Sequence, residues 1–139
     1  MDQMIFPSVK YKIEILCSIN PSEDPQKVNL AISNIFSSFE SKTENFSFRG
    51  KSNNLKTLEK IQENIHSLKA ERIYRKILEK NLTHNSTWFY LNKQAAFVNK
   101  VAICEESDES PLGPIKIIVT SPNIDRIISW LTFRENQVS

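Results

Sequence analysis

Thr87-Trp88-Phe89-Tyr90-Leu91-Asn92-Lys93-Gln94-Ala95-Ala96-Phe97-Val98-Asn99-Lys100-Val101 sets a polar tripeptide between two apolar runs, with no glycine or proline to break them. On a strand Trp88 and Tyr90 point one way and Phe89 the other, so at least one face of this run is core. Phe89 and Phe97 are expected inside. Alternation alone leaves open which way Trp88 and Tyr90 look. Asn92, Lys93 and Gln94 bring an amide, an ammonium and a second amide to the turn that follows. They suit contact with a phosphate or a sugar hydroxyl, and they equally suit the backbone groups of the turn itself.

Outward from this run, Val9, Tyr11, Ile13, Ile15, Cys17 and Ile19 alternate with more polar residues and mark a first strand. Asp24-Pro25 reads as an N-cap with proline in the first helical position, opening a helix that ends near Phe36–Phe39. Phe46 and Phe48 make a short second strand closed by Gly50. Asn54 caps a helical stretch whose apolar phase drifts near Ser67, which predicts two consecutive helices or a bent one. Residues 88–91 and 98–104 are expected strands joined by a turn or short helix, residues 105–111 an acidic loop, and Ile115–Val119 a nearly continuous apolar strand. Ser121 or Asn123 caps a last helix carrying Trp130. The order β-α-β-α(α)-β-β-β-α predicts one α+β domain over residues 1–139, two-layered, with an antiparallel or mixed sheet and helices mainly on one face. Residues 134–139 read as a frayed tail.

The 139 residues are 40% hydrophobic and 24% charged, enough for a core without staples or metal. No apolar run reaches the length of a membrane span, and Met1–Pro7 lacks the order of a secretory leader, so cytoplasmic residence is expected. Cys17 and Cys104 read as core thiols, joined only if their strands are neighbours. His66 and His84 stand too far apart, without companions, for a zinc site. Gly50 and Gly113 are the only glycines, which removes phosphate loops. The acidic run Glu105, Glu106, Asp108 and Glu109 lacks the spacing of a calcium loop. Catalytic residues, cofactors and metals are all expected to be absent.

Net charge is +2, yet residues 49–100 hold eleven Lys/Arg against four Asp/Glu, a local +7, between flanks of −2 and −3. Lys69, Arg72, Arg75, Lys76 and Lys80 recur at helical spacing. With Arg49, Lys51, Lys93 and Lys100 they are expected to converge on one water-facing surface that draws phosphates.

The run Leu91–Val98, with Lys100-Val101 and the later Leu112-Gly113-Pro114-Ile115, resembles a family of archaeal proteins described as predicted RNA-binding proteins of double-stranded-RNA-binding-like fold. The opening strand, Asn20-Pro21-Ser22-Glu23-Asp24 and the Ile35-Phe36 helix end extend the likeness over nearly the whole chain. The resemblance implies an α+β fold related to ribosomal protein L-five, with no enzyme activity, cofactor or metal. Its motif residues here are Asn92, Lys93, Gln94 and Lys100, with Arg49-Gly50. The chain departs from it at Asn99, where the family usually has glycine, and over residues 62–74.

The expected function is therefore non-catalytic binding of structured or double-stranded RNA. The expected contacts are Arg49, Lys69, Arg72, Arg75, Lys76, Lys80, Asn92, Lys93, Gln94 and Lys100. The alternative is a protein-interaction or scaffold module, such as a homodimer, anchored by Trp88, Tyr90 and Trp130.

Overall fold

Ile13, Ile15 and Cys17 are buried while the residues between them are not, and this parity repeats in the central strands. Phe48 and Gly50, Phe89 and Leu91, and Ile115, Ile117 and Val119 form the same inner row set. Side chains on a strand alternate between faces, so one consistent parity means that the described residues cover only one face of the sheet.

The computed structural model describes residues 7 and 9–133; the expected frayed tail, 134–139, lies outside them. Six strands form one sheet: β1 (Lys12–Ser18), β2 (Glu40–Glu44), β3 (Ser47–Ser52), β4 (Ser86–Leu91), β5 (Ile103–Cys104) and β6 (Ile115–Thr120). Their spatial order is β2-β3-β1-β6-β4-β5, and every pairing is antiparallel. The helices are α1 (Pro25–Ile35), α2 (Glu59–Ser67), α3 (Glu71–Lys80), α4 (Lys93–Phe97) and α5 (Ile124–Thr132). All five bury residues in a single core cluster on the inner parity of the sheet. This is the expected α+β, two-layer arrangement.

Local chemistry explains most element ends. The Asp24 carboxylate accepts from the Gln26 N–H at 2.9 Å and Pro25 opens α1. The helical stretch that drifts in phase is two helices. At the end of α2 the Ala70 N–H donates to Ile65 O (2.8 Å) and the Lys69 N–H to His66 O (3.2 Å), with Lys69 at φ 55°. That left-handed Schellman stop redirects the chain into α3. The same motif closes α4. Lys100 N–H donates to Ala95 O and Asn99 N–H to Ala96 O, with Asn99 at φ 63°. Position 99 therefore needs positive φ, and asparagine is the residue that best tolerates it after glycine.

Three elements differ from expectation. β2 is wholly exposed, Glu-Ser-Lys-Thr-Glu, and carries no apolar alternation to announce it. It enters a hairpin whose two-residue turn is Asn45-Phe46, with φ of 44° and 65°. Phe46 thus sits on a turn and is 63% exposed, rather than pointing inward beside Phe48. Gly50 does not end its strand. It lies inside β3, where a Cβ would come within 3.2 Å of Phe48 and 3.3 Å of Phe39, whose rings pack edge to face. Residues 98–102 leave the sheet, so that β5 is only Ile103–Cys104. Cys17 and Cys104 are both free and buried.

A bulky residue in the left-handed region costs about 1–2 kcal/mol, and the primed hairpin turn favours Asn-Gly. Phe46→Gly is therefore expected to raise stability by about 1 kcal/mol, read as a higher urea midpoint with unchanged slope.

Candidate nucleic-acid interface

The outer parity of the sheet remains after the helices have covered the inner one. Cross-strand register aligns it into rungs. Tyr90 lies opposite Lys116, Lys116 opposite Leu16, Leu16 opposite Arg49, and Arg49 opposite Lys42. One rung thus crosses five strands with an aromatic at one end, three cations, and no carboxylate. The adjacent rung runs Trp88, Ile118, Glu14, Lys51, Glu40. Here Lys51 lies between two acids.

Trp88 and Tyr90 are half-buried neighbours on β4, with ring centroids 4.9 Å apart and planes at 56°. The Lys116 ammonium stands 4.6 Å from the centre of the Trp88 ring, a cation–π contact. Arg49, Lys51 and Lys42 are exposed. Among the described residues, Lys42 makes an ion pair with Glu44 at 3.4 Å, and no carboxylate lies within ion-pair distance of Arg49, Lys51 or Lys116.

The residues expected at the site disperse. Arg49 belongs to the open face. Arg72, Lys76 and Lys80 form an exposed stripe on α3, in the helical layer on the other side of the sheet, with exposed Lys69 at its leading corner. A single shared surface for all of them is therefore not what the chain forms. Arg75 is half-buried and engaged: it donates from Nη2 to Thr132 O at 3.2 Å and lies 4.1 Å over the Phe133 ring, tying α3 to the end of α5. Asn92 caps α4, accepting from the Ala95 N–H at 2.9 Å. Gln94 is exposed, its amide reaching Pro111 O at 3.4 Å, and Lys100 is exposed beyond the α4 stop.

Lys93 requires the clearest correction. Its side chain is 0% exposed, so a ligand phosphate cannot reach it. Its ammonium donates to Ser18 O (2.8 Å), Leu112 O (2.9 Å) and Glu23 Oε1 (3.0 Å), while its backbone N–H donates to Ser110 Oγ. The three hydrogens of the ammonium are satisfied within the fold. Gly113, at φ 93°, sits beside this cluster, where a Cβ would meet Ser18 Oγ at 2.8 Å. The polar tripeptide thus serves the turn and the core. Burial pushes the Glu23 carboxyl up, but the Asn20 backbone N–H and the Lys93 ammonium outweigh it and hold the carboxyl below its ordinary value. Burial likewise pushes the neighbouring Cys17 thiol up to about 11, against the pull of Lys93, so it stays protonated and inert.

Sequence reasoning passed over Lys42 and Lys116. The signal for Lys116 lies in β6 itself, where a lysine interrupts an isoleucine run at outer parity.

A family model described as RNA binding matches residues 12–121. The UPF0201 protein of Methanothermobacter thermautotrophicus is 38% identical over 120 residues, spanning 86% of this chain and 89% of the relative. That of Sulfurisphaera tokodaii is 40% identical over 128 residues, spanning 87% and 86%. This chain belongs to the UPF0201 family. The crystal structure of the UPF0201 protein from Methanococcus jannaschii matches with TM-score 0.74 and 31% identity, over 88% of this chain and 93% of that one. The UPF0201 family is archaeal, as the resemblance implied, and the structural match carries the α+β sheet with it. No helix of the described residues of this UPF0201 protein is long and apolar enough to cross a membrane.

Two measurements test the Lys93 cluster. Removing one partner of a buried pair costs about 3–5 kcal/mol, so Lys93→Ala is expected to lose that much in urea unfolding, where a surface contact would lose almost nothing. For Glu23 the folded pKa lies below the unfolded value near 4.5. Its stabilisation is complete above that value and lost as pH falls through the folded pKa. Midpoints should hold steady near neutrality, drop below about pH 4.5, and drop less steeply in Glu23→Gln.

Proposed function

We propose that this protein binds RNA, without catalysis, on the open face of its sheet. The observation that carries the reading is the Tyr90–Lys116–Leu16–Arg49–Lys42 rung. Three cations in a line with no intervening acid match a phosphate backbone in sign and in linear form, and the aromatic pair beside them offers a surface that favours bases over simple anions. Membership in a family described as RNA binding supports the same class of partner.

The partner on this reading is structured RNA in the cytoplasm. A fold of the double-stranded-RNA-binding or ribosomal protein L-five kind, implied by the resemblance, suits recognition of shape and 2′-hydroxyls. β5 is two residues long, so β4 lies nearly at the sheet edge, and α3 packs behind β4 through Tyr74 and Phe89. An RNA seated on the face can continue over that edge to the α3 stripe of Lys69, Arg72, Lys76 and Lys80. Gln94 and Lys100 are secondary contacts on this reading, while Asn92, Lys93 and Arg75 act by holding the scaffold.

The rival reading is a face for a second copy of the chain. Leu16, Ile118, Trp88 and Tyr90 form its apolar centre, and such an interface would resist salt.

Three phosphate contacts, from Lys42, Arg49 and Lys116, would weaken binding on the order of twenty- to fortyfold for a fourfold rise in salt. Arg49→Ala with Lys116→Ala is expected to reduce the log–log salt slope by about 2 and weaken binding roughly tenfold or more. A filter-binding titration with folded RNA at several salt concentrations reads both. No binding at the lowest salt would overturn the reading.

A further inference from the structure

We propose that the ligand of the Trp88–Tyr90 end of the open face is an unpaired base or short unpaired run, the loop or bulge of a structured RNA rather than its paired stem. The inference rests on the RNA-binding reading above and assigns the part of the RNA that this end takes.

In a duplex the base faces are covered by their neighbours, and only edges, sugars and phosphates are open to a protein. Phosphates and sugars are met by extended cationic or polar side chains. Trp88 and Tyr90 are mostly ring, each with a single polar atom. They lie half-buried on the sheet, with ring centroids 4.9 Å apart. What such rings recognise is a base released from its stack, which every nucleotide can offer because each has a π-face.

The position of the cations fits the same ligand. Lys116 is one strand from Tyr90 and already holds its ammonium over the Trp88 ring, so it can meet the phosphate next to a base lying on this pair. Arg49 and Lys42 follow on the third and fourth strands from Tyr90. At about 4.8 Å between strands they stand roughly 14 and 19 Å away. A flexible single strand can lie flat along that line, reaching aromatic and cations together. A rigid convex duplex touches a flat face along one narrow strip. Leu16, between Lys116 and Arg49, and Ile118, beside Trp88, extend the apolar floor on which a sugar or second base would rest. Glu14 and Glu40 flank Lys51 in the neighbouring rung and confine the backbone to the acid-free one.

The experiment uses the full chain and three labelled probes: a hairpin RNA with a uridine loop, the same stem closed as a continuous duplex, and a uridine oligomer. Binding is followed by anisotropy, and by Trp88 fluorescence in a Trp130→Phe background, since the chain has two tryptophans. The hairpin and the oligomer are expected to quench Trp88, and the duplex to leave it unchanged. Trp88→Ala should weaken the hairpin roughly five- to a hundredfold, the range for one stacked base, with Trp88→Phe restoring most of the loss and circular dichroism confirming the fold. Duplex binding as tight as the hairpin, with no response to Trp88→Ala, would overturn the inference and leave RNA binding standing. Failure of all three probes at low salt would remove both. A change in native mass on Trp88→Ala, without a change in RNA affinity, would assign the face to a second copy and overturn the inference.

Discussion

Five helices stand on one side of an antiparallel sheet, and this one-sided burial governs everything else in the molecule. Because a strand alternates strictly, the requirement that Ile13, Ile15, Phe89, Ile115 and Ile117 face the helices fixes where Leu16, Arg49, Trp88, Tyr90 and Lys116 must go. No separate selection of geometry is needed to align them. A slip of one residue in β1 or β6 would turn a lysine into the core and isoleucines into water, so the register that protects the core also holds the outer rung straight. The alignment of the open face is a by-product of packing in its positions, though not in its residue types.

The Lys93 ammonium closes the end of the sheet that hydrophobic contacts cannot. Ser18, Glu23, Lys93 and Leu112 come from the end of β1, the turn before α1, the start of α4 and the loop before β6. Each brings a polar group to one point inside the protein. A buried ion pair is a poor source of net stability, since desolvating both charges offsets most of their attraction. Its consequence is positional. With two carbonyls and a carboxylate around one ammonium, any displacement of those four segments leaves a buried charge or carbonyl without a partner, and that penalty is steep. Gly113 belongs to the same constraint, because a side chain there would press on Ser18.

Much of the framework is legible in the sequence because it is written in hydrophobic period. β1, α1, β4, β6 and α5 each carry a clear apolar face, and each is found where that face predicts. β2 carries none. Its five residues are all exposed, and it is a strand only because the Asn45-Phe46 turn folds it back onto β3. Pattern reading also treated Lys93 as a surface cation, since nothing local distinguishes a lysine with a carboxylate seventy positions away from one in water. The break between α2 and α3 was visible as a drift in phase, but the device, a left-handed Lys69, was not, because lysine is not a residue that advertises positive φ.

The same limit explains why charge along the chain misdirects. The most basic segment, residues 49–100, supplies only one cation, Arg49, to the acid-free rung, while its helical lysines and arginines go to the other layer. Lys42 and Lys116 come from the two segments that are net acidic, yet once the sheet forms Lys42 stands beside Arg49 and Lys116 two strands from it. Antiparallel pairing joins β2, β3, β1, β6 and β4 in an order unrelated to their succession in the chain. A polyanion responds to the field within about a Debye length, roughly 8–10 Å at moderate salt, which spans neighbouring strands and not neighbouring segments. Local charge at a sheet face is therefore set by register and strand order, and a net charge of +2 says little about it. Here strand pairing brings three cations into one line and leaves Glu14 and Glu40 in the next.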